Sequence, residues 1–141
     1  MCGIAGFTIL NNSDQHTAQQ EIDLMVGALN HRGPDGKGTK IHGSIVLGHT
    51  RLSIIDLEGG AQPMSSLTKE FSITFNGEIY NYKDLRGYLA GRGHQFATKS
   101  DTEVILAAYA EWGEECVQHL RGMFAFAIAD HRNQKLFLAR D

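Results

Sequence analysis

An apolar run, Cys2-Gly3-Ile4-Ala5-Gly6-Phe7-Thr8-Ile9-Leu10, starts one residue into the chain and gives way to Asn11-Asn12-Ser13-Asp14. It reads as a buried strand closed by a turn. The chain therefore begins inside its own core, and the residues that follow must supply the layers that cover this first strand. At 141 residues there is room for one domain and one core. Leu, Ile, Val and Phe make up about a quarter of the chain, above the roughly 20% below which chains stay disordered, so it is expected to fold.

From Gln15 to Asn30, Ile22, Met25, Val26 and Leu29 recur at i, i+3, i+4 and i+7. This is one face of a helix, with Ser13 or Asp14 as its N-cap. His31-Arg32-Gly33-Pro34-Asp35-Gly36 forbids helix, because the residue before a proline is pushed out of the α region and the glycines invite positive φ. Strands are expected over Lys40 to Leu47, Arg51 to Asp56 and Phe71 to Phe75, the last ended by Asn76-Gly77. Tyr82 to Leu89 reads as a short helix and Gln95 to Thr98 as a stub of strand. Asp101 to Trp112 reads as a strong helix with Val104, Ile105, Ala108 and Trp112 on one side, capped by Ser100 or Asp101. Glu114 to Leu120 is expected to be helical. Gly122 to Asp130 and Gln134 to Ala139 form a closing strand pair. Helices grouped between runs of strands indicate α+β layers more than a doubly wound sheet.

Several functions are disfavoured by composition. Thirteen Lys and Arg against sixteen Asp and Glu, with no cationic block, do not make a phosphate-tracking surface, so no nucleic-acid partner is expected. No apolar run approaches the ~20 residues that cross a bilayer, and no charged segment precedes an apolar one at the N-terminus. No membrane association is expected. Two cysteines are too few for a disulfide scaffold, which makes a reducing, cytoplasmic location the default. Seven histidines show no HxH, HExxH or His/Cys spacing, so no metal site is expected. The glycines near Gly33 lack the phosphate-loop pattern and do not link a strand to a helix.

Cys2 is the residue with the most chemical meaning. Removal of Met1 places a thiol and a free α-amine on one residue, a nucleophile with its own base. With an α-amino pKa of ~7.7 to 8.0 the amine is partly neutral near pH 7 and can relay the thiol proton. At a random position a cysteine in a strand would only pack, and Cys116, beside Glu114-Glu115, keeps that reading. Asn76-Gly77 offers a side-chain amide and a main-chain N–H for a developing oxyanion, although Asn-Gly alone is more often a hairpin turn. Arg51 can clamp a carboxylate bidentately or stand as a solvated strand-end charge. Asp101 can bind an ammonium group or simply cap its helix. One cation, two carboxylates (Glu78 and Asp101), an amide donor and a thiol together suit an α-amino acid with a reactive side-chain carbonyl, and glutamine fits.

Seven segments carry a family resemblance: Met1-Cys2-Gly3-Ile4-Ala5-Gly6, His31-Arg32-Gly33-Pro34-Asp35, Arg51-Leu52-Ser53-Ile54-Ile55-Asp56, Gly60-Ala61-Gln62-Pro63-Met64, Asn76-Gly77-Glu78-Ile79-Tyr80-Asn81, Ser100-Asp101-Thr102-Glu103 and Gly122-Met123-Phe124-Ala125-Phe126-Ala127. The chain resembles, over its whole length, the class II glutamine amidotransferase domain, and within that class the glutaminase domain of glutamine-hydrolysing asparagine synthetases. The His31-to-Asp35 and Asn76-to-Asn81 segments separate it from the glucosamine-phosphate synthase and phosphoribosyl-amidotransferase branches.

The resemblance implies an N-terminal-nucleophile hydrolase fold, a four-layer αββα sandwich of two antiparallel sheets. It implies Cys2 as the nucleophile that forms a γ-glutamyl thioester from L-glutamine, and Asn76 with Gly77 as the oxyanion hole. Arg51 would hold the α-carboxylate, Glu78 and Asp101 the α-ammonium, and the chain through Leu52, Ser53, Ile54 and Ile55 would line the pocket. His31, Gly33 and Pro34 would gate ammonia. Relatives continue with further strands and then an ATP-dependent synthetase domain. Residues 1–141 are therefore expected to be a glutaminase domain truncated at its C-terminal end, with no cofactor of its own. ATP and Mg²⁺ would belong to the missing synthetase domain, which would turn L-aspartate into L-asparagine, and a homodimer is one expected assembly. Two alternatives stay open: an amidotransferase of this type with another ammonia acceptor, and a non-catalytic fragment.

Overall fold

The computed structural model describes residues 2–9, 14–52 and 60–141. Three strands, β1 (Gly3–Thr8), β2 (Gly36–His42) and β3 (Ile45–Arg51), form an antiparallel sheet in the order β1-β3-β2. A second antiparallel sheet takes the order β4-β5-β6-β7, from β4 (Met64–Ser65), β5 (Phe71–Ile79), β6 (Gly122–Asp130) and β7 (Lys135–Arg140). The helices are α1 (Gln15–Ala28), α2 (Tyr82–Gly91) and α3 (Asp101–Trp112), followed by a 3₁₀ segment over Gly113–His119. The sheets face each other, with α1 outside the first and α2 and α3 outside the second. This is the expected four-layer α+β sandwich.

Alternation along β6 explains how three layers meet on one strand. Phe124, Phe126 and Ile128 join the core under α2 and α3, while Ala127 and Ala129 face Ile45 and Leu47 of the other sheet. Successive side chains of a strand point to opposite faces, and putting alanine on the inner one lets the sheets approach. On the outer face of the first sheet, Ala18, Ile22 and Val26 of α1 are buried. They pack where β3 has no side chain: a Cβ on Gly48 would lie 2.6 Å from Val26 and 2.8 Å from Ile22. The buried stripe therefore runs one turn earlier than the sequence pattern predicts, and Met25 is left 38% exposed.

Capping follows expectation. Asp14 accepts from the His16 N–H at 3.3 Å, and Ser100 Oγ accepts from the Thr102 N–H at 3.1 Å. Residues 101–109 of α3 are all buried, because the helix lies between the second sheet and its neighbouring helices rather than offering one apolar face.

Three local expectations are corrected, and a fourth, the strand from Arg51, falls mostly outside the described residues. Lys40 to Leu47 is not one strand, because Gly43-Ser44 makes a two-residue hairpin between β2 and β3, with Gly43 at φ 57°. The strand expected from Arg51 begins where β3 ends, and its residues 53–56 lie outside the described ones. Asn76-Gly77 does not end β5. The strand continues to Ile79, since Gly77 pairs with Phe124 and Ile79 with Gly122. Gln95 to Thr98 forms no strand. Instead the Ala97 and Thr98 N–H groups each donate to the Glu103 carboxylate at 2.8 Å. The expected helix near Glu114 is the 3₁₀ segment.

Candidate active site

Four separate stretches of chain meet at one end of the sandwich. Cys2 precedes β1, Arg51 and Leu52 close β3, Asn76, Gly77 and Glu78 lie near the end of β5, and Asp101 opens α3. With Gly60, Gln62, Phe75, Ser100 and Thr102 they line a single pocket. Ser53, Ile54 and Ile55, expected to line it as well, lie outside the described residues.

The nucleophile candidate is held from several sides. Its Sγ accepts from the Leu52 N–H at 3.3 Å and lies 3.6 Å from the Leu52 carbonyl oxygen. Its own carbonyl accepts from Arg32 Nε at 3.0 Å. The next residue is anchored too: the Gly3 N–H donates to Thr50 Oγ1 at 3.1 Å, and that hydroxyl donates to the Leu29 carbonyl at 3.1 Å. A thiol in this setting has its backbone fixed while its side chain opens into the pocket. Cys116 contrasts with it. That residue is fully buried, and burial pushes its thiol up to about 12 against a weaker opposing effect of the Val117 N–H. It is a packing residue, as its sequence context predicts.

Gly77 has no room for a side chain. A Cβ there would lie 2.1 Å from the Met123 carbonyl oxygen, so the strand can run past Asn76 against β6 only with glycine at this point. The pair thereby offers an amide side chain and a main-chain N–H close together at the pocket. Asp101 is 4% exposed. Burial raises its carboxyl pKa, the N–H groups of Ile79 (3.1 Å from Oδ2), Thr102 and Asp101 itself oppose that shift, and nearby Glu78 adds to it. A carboxylate short of water, with a second carboxylate beside it, favours a cationic ligand.

Gln62 is a pocket residue that sequence reasoning left without a role. Its Oε1 accepts from the Phe75 N–H at 2.6 Å and its Nε2 donates to Thr102 Oγ1 at 3.4 Å, which clips β5 to the start of α3. The signal was present in Gly60-Ala61-Gln62-Pro63, a polar side chain inside a tight segment. Phe75, Ser100 and Thr102 flank residues that were singled out.

The His31-to-Asp35 segment lies against β3. Pro34 bridges to Arg51, the Asp35 N–H donates to the Arg51 carbonyl at 2.9 Å, and a Cβ on Gly33 would come within 2.5 Å of the Thr50 backbone. Its contact with Cys2 comes through Arg32. His31 is exposed, with Nδ1 3.1 Å from the Ala28 carbonyl oxygen, and His31, Gly33 and Pro34 are not among the pocket-lining residues. Among the described residues no group of three or more His, Cys, Asp or Glu could hold a metal ion. Among the described residues no helix is long and apolar enough to cross a membrane.

Two facing antiparallel sheets between helical layers, with Cys2 at the pocket, match the architecture of N-terminal-nucleophile hydrolase amidotransferases. A solved glutamine phosphoribosylpyrophosphate amidotransferase from Bacillus subtilis superposes with a TM-score of 0.57 at 26% identity, over 72% of this chain and 24% of that one. A family model described as a glutamine amidotransferase domain matches residues 1–141, and the chain belongs to that family. Glutamine-hydrolysing asparagine synthetase 3 of Bacillus subtilis is 46% identical over 143 residues, covering all of this chain and 23% of the relative. Glutamine-hydrolysing asparagine synthetase 3 of Arabidopsis thaliana is 43% identical over 141 residues, covering all of this chain and 24% of the relative. The chain thus spans about a quarter of the length of the curated relatives it matches.

Proposed function

We propose that this chain is the glutaminase domain of an asparagine-forming amidotransferase, hydrolysing L-glutamine to L-glutamate and ammonia at Cys2. The observation that carries this reading is the convergence of Cys2, Arg51, Asn76, Gly77 and Asp101 on one pocket. Arg51 pairs with the glutamine α-carboxylate, and Glu78 and Asp101 take the α-ammonium. These ends fix the side-chain amide beside Cys2.

The Cys2 α-amine, free once Met1 is removed, accepts the thiol proton as sulfur bonds to the amide carbon. Negative charge moves to the amide oxygen, where Asn76 Nδ2 and the Gly77 N–H donate to it. Such donors typically lower the barrier by ~2.7 to 4 kcal/mol each. Collapse of the tetrahedral intermediate breaks the C–N bond, and the α-ammonium returns its proton to the leaving nitrogen as ammonia. Water, deprotonated by the same amine, then cleaves the thioester to glutamate and regenerates the thiol. The segment carrying His31, Gly33 and Pro34 gates the ammonia.

In this reading residues 1–141 are part of a larger glutaminase domain. The ammonia passes to a synthetase domain that amidates L-aspartate with ATP and Mg²⁺, and no step assigned to these 141 residues needs either. The names of the curated relatives and their greater length support this. The whole protein would act in the cytoplasm and could assemble as a homodimer. The test is to incubate the chain, freed of Met1, with L-glutamine and to measure glutamate and ammonia beside Cys2→Ala. Glutamate from the parent and none from the variant supports the reading; a folded parent that makes none, or a variant that makes as much, overturns it.

A further inference from the structure

Behind the pocket, in the dry layer between the sheets, lies a polar group that the reaction above does not use. His49 is fully buried on β3, with Nδ1 3.1 Å from Thr74 Oγ1 on β5. The Thr74 hydroxyl, itself buried, donates to the Gly48 carbonyl at 3.0 Å. A hydroxyl has one proton, and here it is committed to Gly48, so the Thr74 oxygen accepts from His49 and Nδ1 carries the ring proton. Burial, with the Arg51 charge as a lesser cause, holds the His49 pKa down to about 4, which keeps the ring neutral near pH 7. The other nitrogen, Nε2, is buried with no hydrogen-bond partner among the described residues. Leaving such a group unpaired costs roughly 1 to 3 kcal/mol. Ile45 and Leu47, on the same face of the same strand, carry no such cost, so folding alone favours an apolar residue at position 49.

What His49 does can be read from the strands. Arg51 follows His49 by two residues on β3 and Asn76 follows Thr74 by two on β5, so each lies on the same face as its predecessor, roughly 7 Å nearer the pocket. We propose that the His49–Thr74 pair is a strap joining the two sheets just behind the site, and that it sets the separation between Arg51 and Asn76. His49 and Thr74 are then positioning residues, acting through the two groups that grip opposite ends of the ligand. This rests on the glutaminase reading of the pocket. Glutamine has a fixed length from α-carboxylate to side-chain amide, so an error in sheet separation loosens the Arg51 grip, which raises KM, and moves Asn76 off the developing oxyanion, which lowers kcat.

The test uses the chain freed of Met1, with glutamine as the probe and thermal melting to establish folding. Thr74→Val removes the hydroxyl at nearly constant volume, and His49→Leu removes the ring. Each is expected to raise KM for glutamine by about tenfold and to lower kcat by about tenfold. His49→Asn and Thr74→Ser keep an N–H and a hydroxyl in place and are expected to restore KM to within about twofold of the parent. The double variant should be no worse than Thr74→Val alone, because that change already removes the His49 contact together with the bond to Gly48. Should His49→Leu fail to fold, the comparison of Thr74→Val with Thr74→Ser still decides. Folded Thr74→Val with an unchanged KM, or Ser and Asn variants as impaired as Val and Leu, overturns the strap while leaving the glutaminase reading intact. A parent that neither hydrolyses glutamine nor is stabilised by it overturns that reading, and the strap with it.

Discussion

Among the described residues, β4 to β7 with α2 and α3 gather eighteen buried apolar side chains in one cluster, whereas α1 and the face of the β1–β3 sheet beneath it gather four. Each half holds one cysteine. Cys116 lies within the larger core, where burial removes its reactivity, and Cys2 lies at the edge of the smaller one, where its thiol opens into the pocket. The pocket draws from both sides: Cys2 and Arg51 come from the thin half, and Asn76, Gly77 and Asp101 from the dense one. The dense half provides rigid donors and a dry carboxylate. The thin half presents the proposed nucleophile, and the pocket lies at the seam between them.

The largest expected effect tests the two cysteines against each other. Cys2→Ala should reduce glutamate formation to background, a loss of several orders of magnitude, while Cys116→Ala should leave turnover within about twofold of the parent. A steady-state assay on both variants reads this, and a large loss of kcat in a folded Cys116→Ala would erase the contrast. Next come the two cores. Ile128→Val in the dense cluster should cost ~1.5 kcal/mol of stability, against ~0.5 kcal/mol for the same change at Ile22 in the thin one, measured by urea unfolding. Equal losses would mean that the halves do not differ as their burial implies.

Acid should weaken the seam. His49 titrates at about 4 in the folded chain and near 6.5 when unfolded, so the unfolded state binds the extra proton between those values. Its contribution is complete above pH 6.5 and is lost as the pH falls towards 4, by ~3 kcal/mol in all. Asp101, whose pKa is raised by burial, contributes with the opposite sign, losing stability as the pH rises through its folded value. Unfolding curves of the parent and His49→Leu between pH 4 and 7 separate the two, since the variant should lack the His49 slope. The smallest effect is on α2, where a Cβ added at Gly87 meets nothing within 4 Å. Gly87→Ala should stabilise the chain by roughly 0.5 to 1 kcal/mol without touching activity, and a lower melting temperature would mean that α2 packs more tightly there than its open surroundings suggest.

Local chemistry was a good guide where one element settles its own conformation. Periodicity and a Ser cap placed α3 correctly, and the closing strand pair expected from Gly122 to Asp130 and from Gln134 is β6 and β7. The same reasoning drew one strand through Gly43-Ser44, because a two-residue hairpin interrupts an apolar pattern very little. It also ended β5 at Asn76-Gly77, a dipeptide whose local preference for a turn is real. The β6 ladder overrides that preference, and no window around residue 77 contains β6.

For the site, residue type and position were enough to single out Cys2, Arg51, Asn76, Gly77 and Asp101, because nucleophiles, clamps and oxyanion donors are recognisable by their chemistry. Their convergence on one pocket, the clip made by Gln62, the inertness of Cys116 and the neutral ring of His49 were settled by folding. Hydrogen-bond partners fifty residues apart and the removal of water from a side chain are properties of the packed chain. Neither is a property of the segment in which the residue stands.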